Sequence, residues 1–425
     1  MVNCFVMYFI TRKGSLSMFF LRTALRNIWR FKIKSILTIL ICIFIISLLN
    51  VYWGNIESNR KQLIDMADTM PVYCRISNLI GSKVAGLDIP EVTINNLQSS
   101  SYVNNLVYTV RLMAGEGEFS IDDWKENLNI SAIATNSIQG VEGIGKDKIT
   151  LKEGINLDFL KSSTNYCIVS KKCMEEHQWK IGDTVSLNLF YYFHKYEYAL
   201  KIEPLNIVSF EIVGSMEGAP YDDSGYLPPE IMLPAEAVRD IYHSREIPFS
   251  SDSAFFYLTD PLQLNEFKAE MKEFHLLQQS SDAKDSDKGN ALSVNDSVFV
   301  TAANRLRQGM GTLLDFLPMV LLIVIFIGYI TSYLLVYSRK KDFFIMRSLG
   351  FRHREVFLIF FMEQLMLAIC GALIQSIISM IFITHSVSML FVVNFGFIIC
   401  FMMGEVFAVS KLGRGNVMEA LSQND

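Results

Sequence analysis

The segment Gly140 to Asp147, "GVEGIGKD", has the G-x-x-x-x-G-K spacing with which backbone N–H groups and a lysine cradle phosphates. That chemistry also needs Ser or Thr directly after the lysine to hold Mg²⁺, and Asp147 stands there instead. The segment is expected to be a turn. The six His are scattered, none at ligand spacing with Cys or another His, so no zinc site is expected. Cys42, Cys370 and Cys400 fall in apolar runs and Cys4 near the start. Cys74, Cys167 and Cys173 remain, an odd number that argues against a disulfide framework, with 167 to 173 the one pairing to weigh. No catalytic residues, metal or cofactor are expected on this chain, which reads as no enzyme.

Two other features carry charge where charge is costly. "RKKDFFIMRSLGFRHREV", residues 339 to 356, holds six Lys or Arg and two acids between long apolar runs. Ile345, Met346 and Leu349 lie at i, i+1 and i+4 with Phe343 nearby, an apolar stripe on a helix whose other side carries Arg339, Lys340, Lys341 and Arg347. Gly350 can take positive φ and end that helix. Such a helix either docks in a groove of another protein or forms a basic loop that fixes topology and touches lipid headgroups. Glu363 stands about 12 Å into the apolar run that follows. An acid at mid-bilayer costs roughly 2.5 to 3.5 kcal/mol, so Glu363 either turns toward Arg339, Lys340 or a partner subunit, or snorkels to the near interface.

The elements that position these residues follow from composition. The 425 residues are 51% hydrophobic with a mean hydropathy of +0.29, too apolar for an ordinary soluble protein and too polar to lie wholly in lipid. Ile33 to Trp53 spans roughly 31 Å as a helix, about the thickness of a bilayer. It is twice the usual length of a signal-peptide core and lacks a small-x-small cleavage pattern, so a permanent helix is expected. Phe316 to Tyr337 carries no charge, and Pro318 is placed in its first turn, where proline is tolerated. Val356 to Ser410 is too long for one span. It reads as two helices, 356–383 and 387–404, joined by a tight turn at Thr384-His385-Ser386, with a bend at Asn394 to Gly396 as the alternative.

Basic residues set the orientation. Arg12, Lys13, Arg22, Arg26, Arg30, Lys32 and Lys34 precede the first span, and the first acid is Glu57, so residues 1–32 are expected in the cytoplasm. The loop 339–355 and the tail 405–425 belong on the same side. Residues 54–315 hold 37 acids against 23 bases, a balance of −14, and are placed outside. Met18 is a natural start, which would make residues 1–17 an upstream extension. The expected fold is therefore four transmembrane α-helices with a large α+β extracytoplasmic domain between helices 1 and 2, and with both termini cytoplasmic.

Within the outer domain, "NIESNRKQLIDMAD" reads as a helix continuing from the first span. Val298, Ala302, Leu306, Met310, Leu313 and Leu317 describe an amphipathic helix entering the second, at 316–338. The two are either a paired stalk or ordinary linkers. "DTVSLNLFYYF" and "LKIEPLNIVSFEIVG" alternate as strands, while "PAEAVRDIYHS" and "DPLQLNEFKAEMKEFHLL" read as helices. "QQSSDAKDSDKGN", 278–290, reads as a mobile loop.

These pieces together resemble a family. "LRTALRNIWRFKIKSILTILI" resembles the opening of FtsX-like and MacB-like ABC transporter permeases. "YSRKKDFFIMRSLGFRHREVFLIFFMEQLML" is similar to the same family's "rrReig.lralGasrrqi...fl.Ea.ll", without a gap at Arg339, Arg347, Leu349, Gly350, Val356 and Glu363. "GRGNVMEALSQ" resembles its closing "ldPveALr", with Asn416 where a proline is usual, and "FEIVGSME" with "YLPPEIMLPAEAV" resembles its extracytoplasmic domain. The chain departs from the family in having almost no loop between the third and fourth spans.

The resemblance implies the four-span type without a fused ATPase, in which the 339–355 loop receives force from a separate ABC ATPase subunit that binds the ATP. It implies ATPase coupling through Arg339, Phe343, Ile345, Met346, Arg347, Leu349 and Gly350. Expected partners are that ATPase, a second permease copy or related permease, and the lipid bilayer, with no nucleic acid. The function implied is mechanotransmission, exporting or extracting a peptide, lipoprotein or antimicrobial compound. The alternatives are an FtsX-type regulator of a cell-wall hydrolase, or a membrane sensor of extracellular peptide acting through the same ATPase.

Overall fold

The computed structural model describes residues 22–119, 127–196, 199–219, 227–284, 289–382 and 387–412. It divides into two units, Met1–Ile64 with Ala302–Asp425, and Asp65–Thr301. Residues 22–30 are helical and lead to α1 (Lys32–Thr69), which joins the first apolar run and the polar "NIESNRKQLIDMAD" stretch in one helix.

The outer unit is built on a sheet of eleven strands. In chain order the elements are β1 (Tyr73–Asn78), β2 (Ile89–Pro90), α2 (Glu91–Ser99), β3 (Val103–Glu116), β4 (Ile130–Thr135), β5 (Ile149–Leu151), β6 (Tyr166–Ser170), α3 (Lys171–His177), β7 (Thr184–Tyr196), β8 (Ala199–Met216), β9 (Ile231–Pro234), α4 (Ala235–Ser244), β10 (Ser250–Ser251), β11 (Ser253–Leu258), α5 (Leu264–Glu273), β12 (Leu277–Gln278) and β13 (Asn290–Asn295). The strand order is β12-β13-β1-β11-β3-β4-β9-β6-β8-β5, with β7 pairing both β3 and β8, and β2 pairs β10 separately. Most pairs are antiparallel; β4 with β9, β6 with β8 and β12 with β13 are parallel. An α+β domain is thus observed. Burial alternates along β11, where Ala254, Phe256 and Leu258 are buried and the residues between them are half-buried. Phe256 meets Phe267 of α5 edge to face at 5.9 Å. The register of β7 on β8 shifts between Leu189 and Phe190, opposite Pro204, because a proline has no N–H to give the ladder.

The sequence reading of 278–290 as one mobile loop is only partly followed. Gln278 ends β12 and Asn290 begins β13, and residues 285–288 lie outside the described residues.

The other unit contains α6 (Ser297–Tyr337), α7 (Lys340–Ser348), α8 (His353–Phe382) and α9 (Val387–Leu412). Among the described residues, α1, α6, α8 and α9 are the four helices long and apolar enough to cross a membrane. Two details correct the sequence reading. Pro318 is not in a first turn: α6 continues through it from Ser297. A proline inside a helix removes one backbone bond and disturbs the preceding turn, and there the Tyr52 hydroxyl of α1 donates to the Leu313 carbonyl. Second, α9 does not stop at 404 but runs to Leu412, carrying Glu405 within the helix. The alternative bend at Asn394 to Gly396 is not taken, and Thr384-His385-Ser386 lies outside the described residues.

Small residues bring these helices close. A Cβ on Gly371 of α8 would stand 2.7 Å from Cys42 Cβ of α1, and one on Gly328 of α6 would stand 2.7 Å from the Phe401 carbonyl oxygen of α9. The apolar core between them includes Ile46, Val324, Ala368, Phe397 and Phe401.

Candidate functional site

The charged stretch between α6 and α8 folds as a nine-residue helix, α7, with stops at both sides. Gly350 adopts φ +94°, and the Phe351 N–H donates to the Met346 carbonyl at 3.2 Å. That is the bond pattern of a helix closed by a left-handed residue, in which the apolar residue after the glycine packs back on the helix. Phe351 does so, against a cluster of Val336, Phe343, Val356, Phe360 and Val409. The next helix starts at once, and Glu355 reaches back to accept from the Arg352 N–H at 2.8 Å, as in a capping box.

This packing splits the apolar stripe expected from the sequence. Phe343 is 1% exposed and locked in the cluster, Met346 is half-buried against it, and Ile345 and Leu349 are 50% and 73% exposed. Ile345 and Leu349 are therefore the two residues of the expected stripe that stand exposed on α7. Arg339, placed by the sequence among the outward basic residues, is 3% exposed and points into the chain. Its Nη1 donates to Glu363 Oε1, and its guanidinium carbon lies 4.5 Å from the Phe31 ring centre and 4.9 Å from that of Phe360. Asp342 lies at 3.8 Å from Arg339 Nε, too far for a hydrogen bond. Arg347 belongs to α7, but its side chain is outside what is described.

Arg339 and Glu363 thus tie the start of α7 to the middle of α8. The site has a third charged member that sequence reasoning missed. Glu405 of α9 is fully buried within electrostatic reach of Glu363, and among the described residues neither of its carboxylate oxygens has a hydrogen-bond partner. Arg339 Nη2 and both amide atoms of Gln364 are also buried without hydrogen-bond partners among the described residues. The signal was present, since Glu405 is followed by Val406, Phe407, Ala408 and Val409; it was read as the end of a span because it interrupts the run.

The remaining sequence candidates lie in the outer unit. "GVEGIGKD" forms two short 3₁₀ turns in the outer unit, with Ile138, Val141 and Ile144 sunk in a core with Phe159 and Met232. Cys74, Cys167 and Cys173 are free and buried; burial pushes the Cys74 and Cys173 thiols up to about 12. Among the described residues, no cluster of His, Cys, Asp and Glu could hold a metal.

Comparison with known families gives two matches that divide the chain as its elements do. The MacB-like periplasmic core domain matches residues 34–274, and the FtsX-like permease C-terminal domain matches residues 316–412. Similar solved structures include the periplasmic region of MacB from Actinobacillus actinomycetemcomitans, at 12% identity and TM-score 0.30 over 55% of this chain and 92% of that one. The extracellular domain of the noncanonic ABC-type transporter YknZ from Gram-positive bacteria matches at 13% identity and TM-score 0.28, over 52% and 99%. A domain of a putative permease protein from Porphyromonas gingivalis matches at 14% and 0.28, over 53% and 87%. No curated protein matches the chain.

Proposed function

From the premise that this chain belongs to the family of MacB-like and FtsX-like ABC permeases, we propose that it is the membrane subunit through which a separate ATPase moves an extracytoplasmic domain. Permeases of this family work with ABC ATPase partners, and the protein is a multi-pass membrane protein with its MacB-like domain outside the membrane. α7 is the element that meets the ATPase, on the cytoplasmic side together with both termini. A second permease copy, or a related one, completes the assembly. ATP is bound by the partner. The work done outside is export or extraction of a peptide, lipoprotein or antimicrobial compound.

The observation that carries this reading is the division of labour in α7. Ile345 and Leu349 stand exposed, one turn apart, while Phe343 and Arg339 anchor the same helix to α6, α8 and α9. A force applied to the exposed side is therefore passed to three spans through packed rings and one ion pair. A helix that only fixed topology would need no such anchoring.

The test is capture of the ATPase by full-length protein from solubilised membranes. Ile345→Asp with Leu349→Asp is expected to reduce capture at least tenfold, since two exposed apolar anchors in a groove are each worth about 1 kcal/mol or more. Membrane insertion should be unchanged. Undiminished capture would place the contact elsewhere.

A further inference from the structure

The outer unit holds a cavity of about 410 Å³ that neither the fold nor the proposed coupling uses. Its walls come from five places in the chain: the segment before α2, β3, β7, the end of α4, and the strap from Ile247 to Asp252. Three rings run along it edge to face: Tyr191 to Tyr242 at 5.6 Å and Tyr242 to Phe249 at 5.5 Å. Two carboxylates, Asp88 and Asp252, also line it.

The two acids differ. Asp252 is bound to Arg111 at 3.3 Å and accepts from the Thr109 hydroxyl at 3.4 Å, so its charge is balanced. Asp88 is exposed and has no ion pair among the described residues. The cavity therefore presents one net negative charge at its mouth and aromatic walls inside. It belongs to a segment whose balance is already −14, which raises the local concentration of cations. Burial first, and then the charges of Tyr191, Asp252 and Asp88, hold the Tyr242 phenol above its usual range, so it remains a neutral hydroxyl. The domain itself seats a guanidinium on one of these rings: Arg239 lies 5.0 Å from the centre of Phe249. With only two carboxylates, one of them engaged, a divalent metal is not the fitting occupant.

A second cavity in the same unit, of about 500 Å³, is larger but carries Arg75 and Arg111 against the single acid Glu142, a lining that does not favour a cation.

We propose that the Tyr191–Tyr242–Phe249 cavity binds an organic cation, a primary ammonium or guanidinium on an apolar stem, with the stem against the rings and the charge facing Asp88. Lysine or arginine side chains of a peptide and polyamines share this chemistry. The proposal deepens the permease reading by naming a ligand class for its outer domain, and rests on that reading only for what binding is used for.

The test uses the full-length chain in nanodiscs of zwitterionic lipid, with fluorescein-labelled pentalysine followed by anisotropy. Spermidine, unlabelled pentalysine and fully side-chain-acetylated pentalysine serve as competitors. Asp88→Asn is expected to weaken pentalysine about tenfold, the worth of about 1.4 kcal/mol, and Tyr191→Leu to weaken it as much. Asp282→Asn, an exposed acid outside the cavity, should leave it unchanged. Stronger displacement by unlabelled pentalysine than by spermidine assigns the site to peptides, and the reverse assigns it to polyamines. Equal loss in the Asp88 and Asp282 variants, no loss in either, or equal displacement by the acetylated peptide overturns the proposal. Loss of ATPase capture in the Ile345 and Leu349 variant leaves cation binding intact, so the two readings fail separately.

Discussion

Two arginine–carboxylate pairs differ in their surroundings: Arg111 with Asp252 in the outer unit, 13% and 12% exposed, and Arg339 with Glu363 among the apolar helices, each 1% exposed. The outer pair joins β3 to the bend between β10 and β11 and is fitted into a polar surround. Thr109 donates to Asp252 and shares a 2.6 Å hydrogen bond with Ser253, and the Gly86 backbone adds another donor to the same carboxylate. The inner pair joins separate helices and, among the described residues, leaves Arg339 Nη2 and the whole Glu405 carboxylate without hydrogen-bond partners. Unpaired polar atoms in an apolar interior are costly. The outer carboxylate is satisfied by its surround, and the inner network is satisfied only in part.

The strongest way to break that contrast is to remove one inner charge. Glu363→Gln removes the hydrogen-bonded counter-charge of buried Arg339 and leaves only Asp342 at 3.8 Å, at a cost of up to about 3–5 kcal/mol. The thermal midpoint of the full-length chain in detergent should fall accordingly. Arg339→Met with Glu363→Leu should recover most of the fall, because a buried pair exchanged for apolar side chains of similar volume is often neutral or better. A double variant no more stable than the single one would mean that the pair is structural in the manner of its outer counterpart.

The outer pair is sharpened by pH. Burial raises the Asp252 carboxyl to about 6, against the opposing pull of Arg111 and its hydrogen bonds. A folded value above the unfolded 3.8 means that the native state binds more protons between the two. Stability of the outer unit should therefore be greatest below about pH 4 as far as this group is concerned, fall by about 3 kcal/mol in all as pH rises through 6, and stay level above about pH 7. Asp252→Asn should flatten that slope in thermal unfolding, and an unchanged slope would assign it to another group.

The smallest effect concerns the end of α7. Gly350→Ala places a Cβ at φ +94° with no atom within 4 Å to obstruct it, so the penalty is backbone strain alone, about 1 kcal/mol. ATPase stimulation by the partner should drop before thermal stability does, since the strain falls on the turn between α7 and α8. Equal losses in both would show that the turn carries stability and not coupling.

The sequence showed some of this and hid the rest for physical reasons. Four apolar runs and the alternation along β7 and β8 are local patterns, and the elements appear where those patterns lie. The lone acid in the apolar run pointed to Arg339 as one of the partners of Glu363, and that pair is formed, but the same sequence also set Arg339 on the outward basic side of α7. A nine-residue helix has too few turns for periodicity to say which side packs, and what decides it is Glu363, a turn and a helix away. Pro318 was read as a start because proline prefers one, while α6 continues through it beside Tyr52, far off in sequence. The cavity of Tyr191, Tyr242 and Phe249 needs strands and a strap separated by long stretches of chain, which no spacing announces.

One consequence of α6 concerns distance. Its 41 residues form a rod about 60 Å long. A rod of that length tilted by about 10° at one end carries the other through roughly 10 Å, about the diameter of a helix. The proposed coupling would then need no gear beyond the length of α6, with the turn before Pro318 as the place where the rod bends.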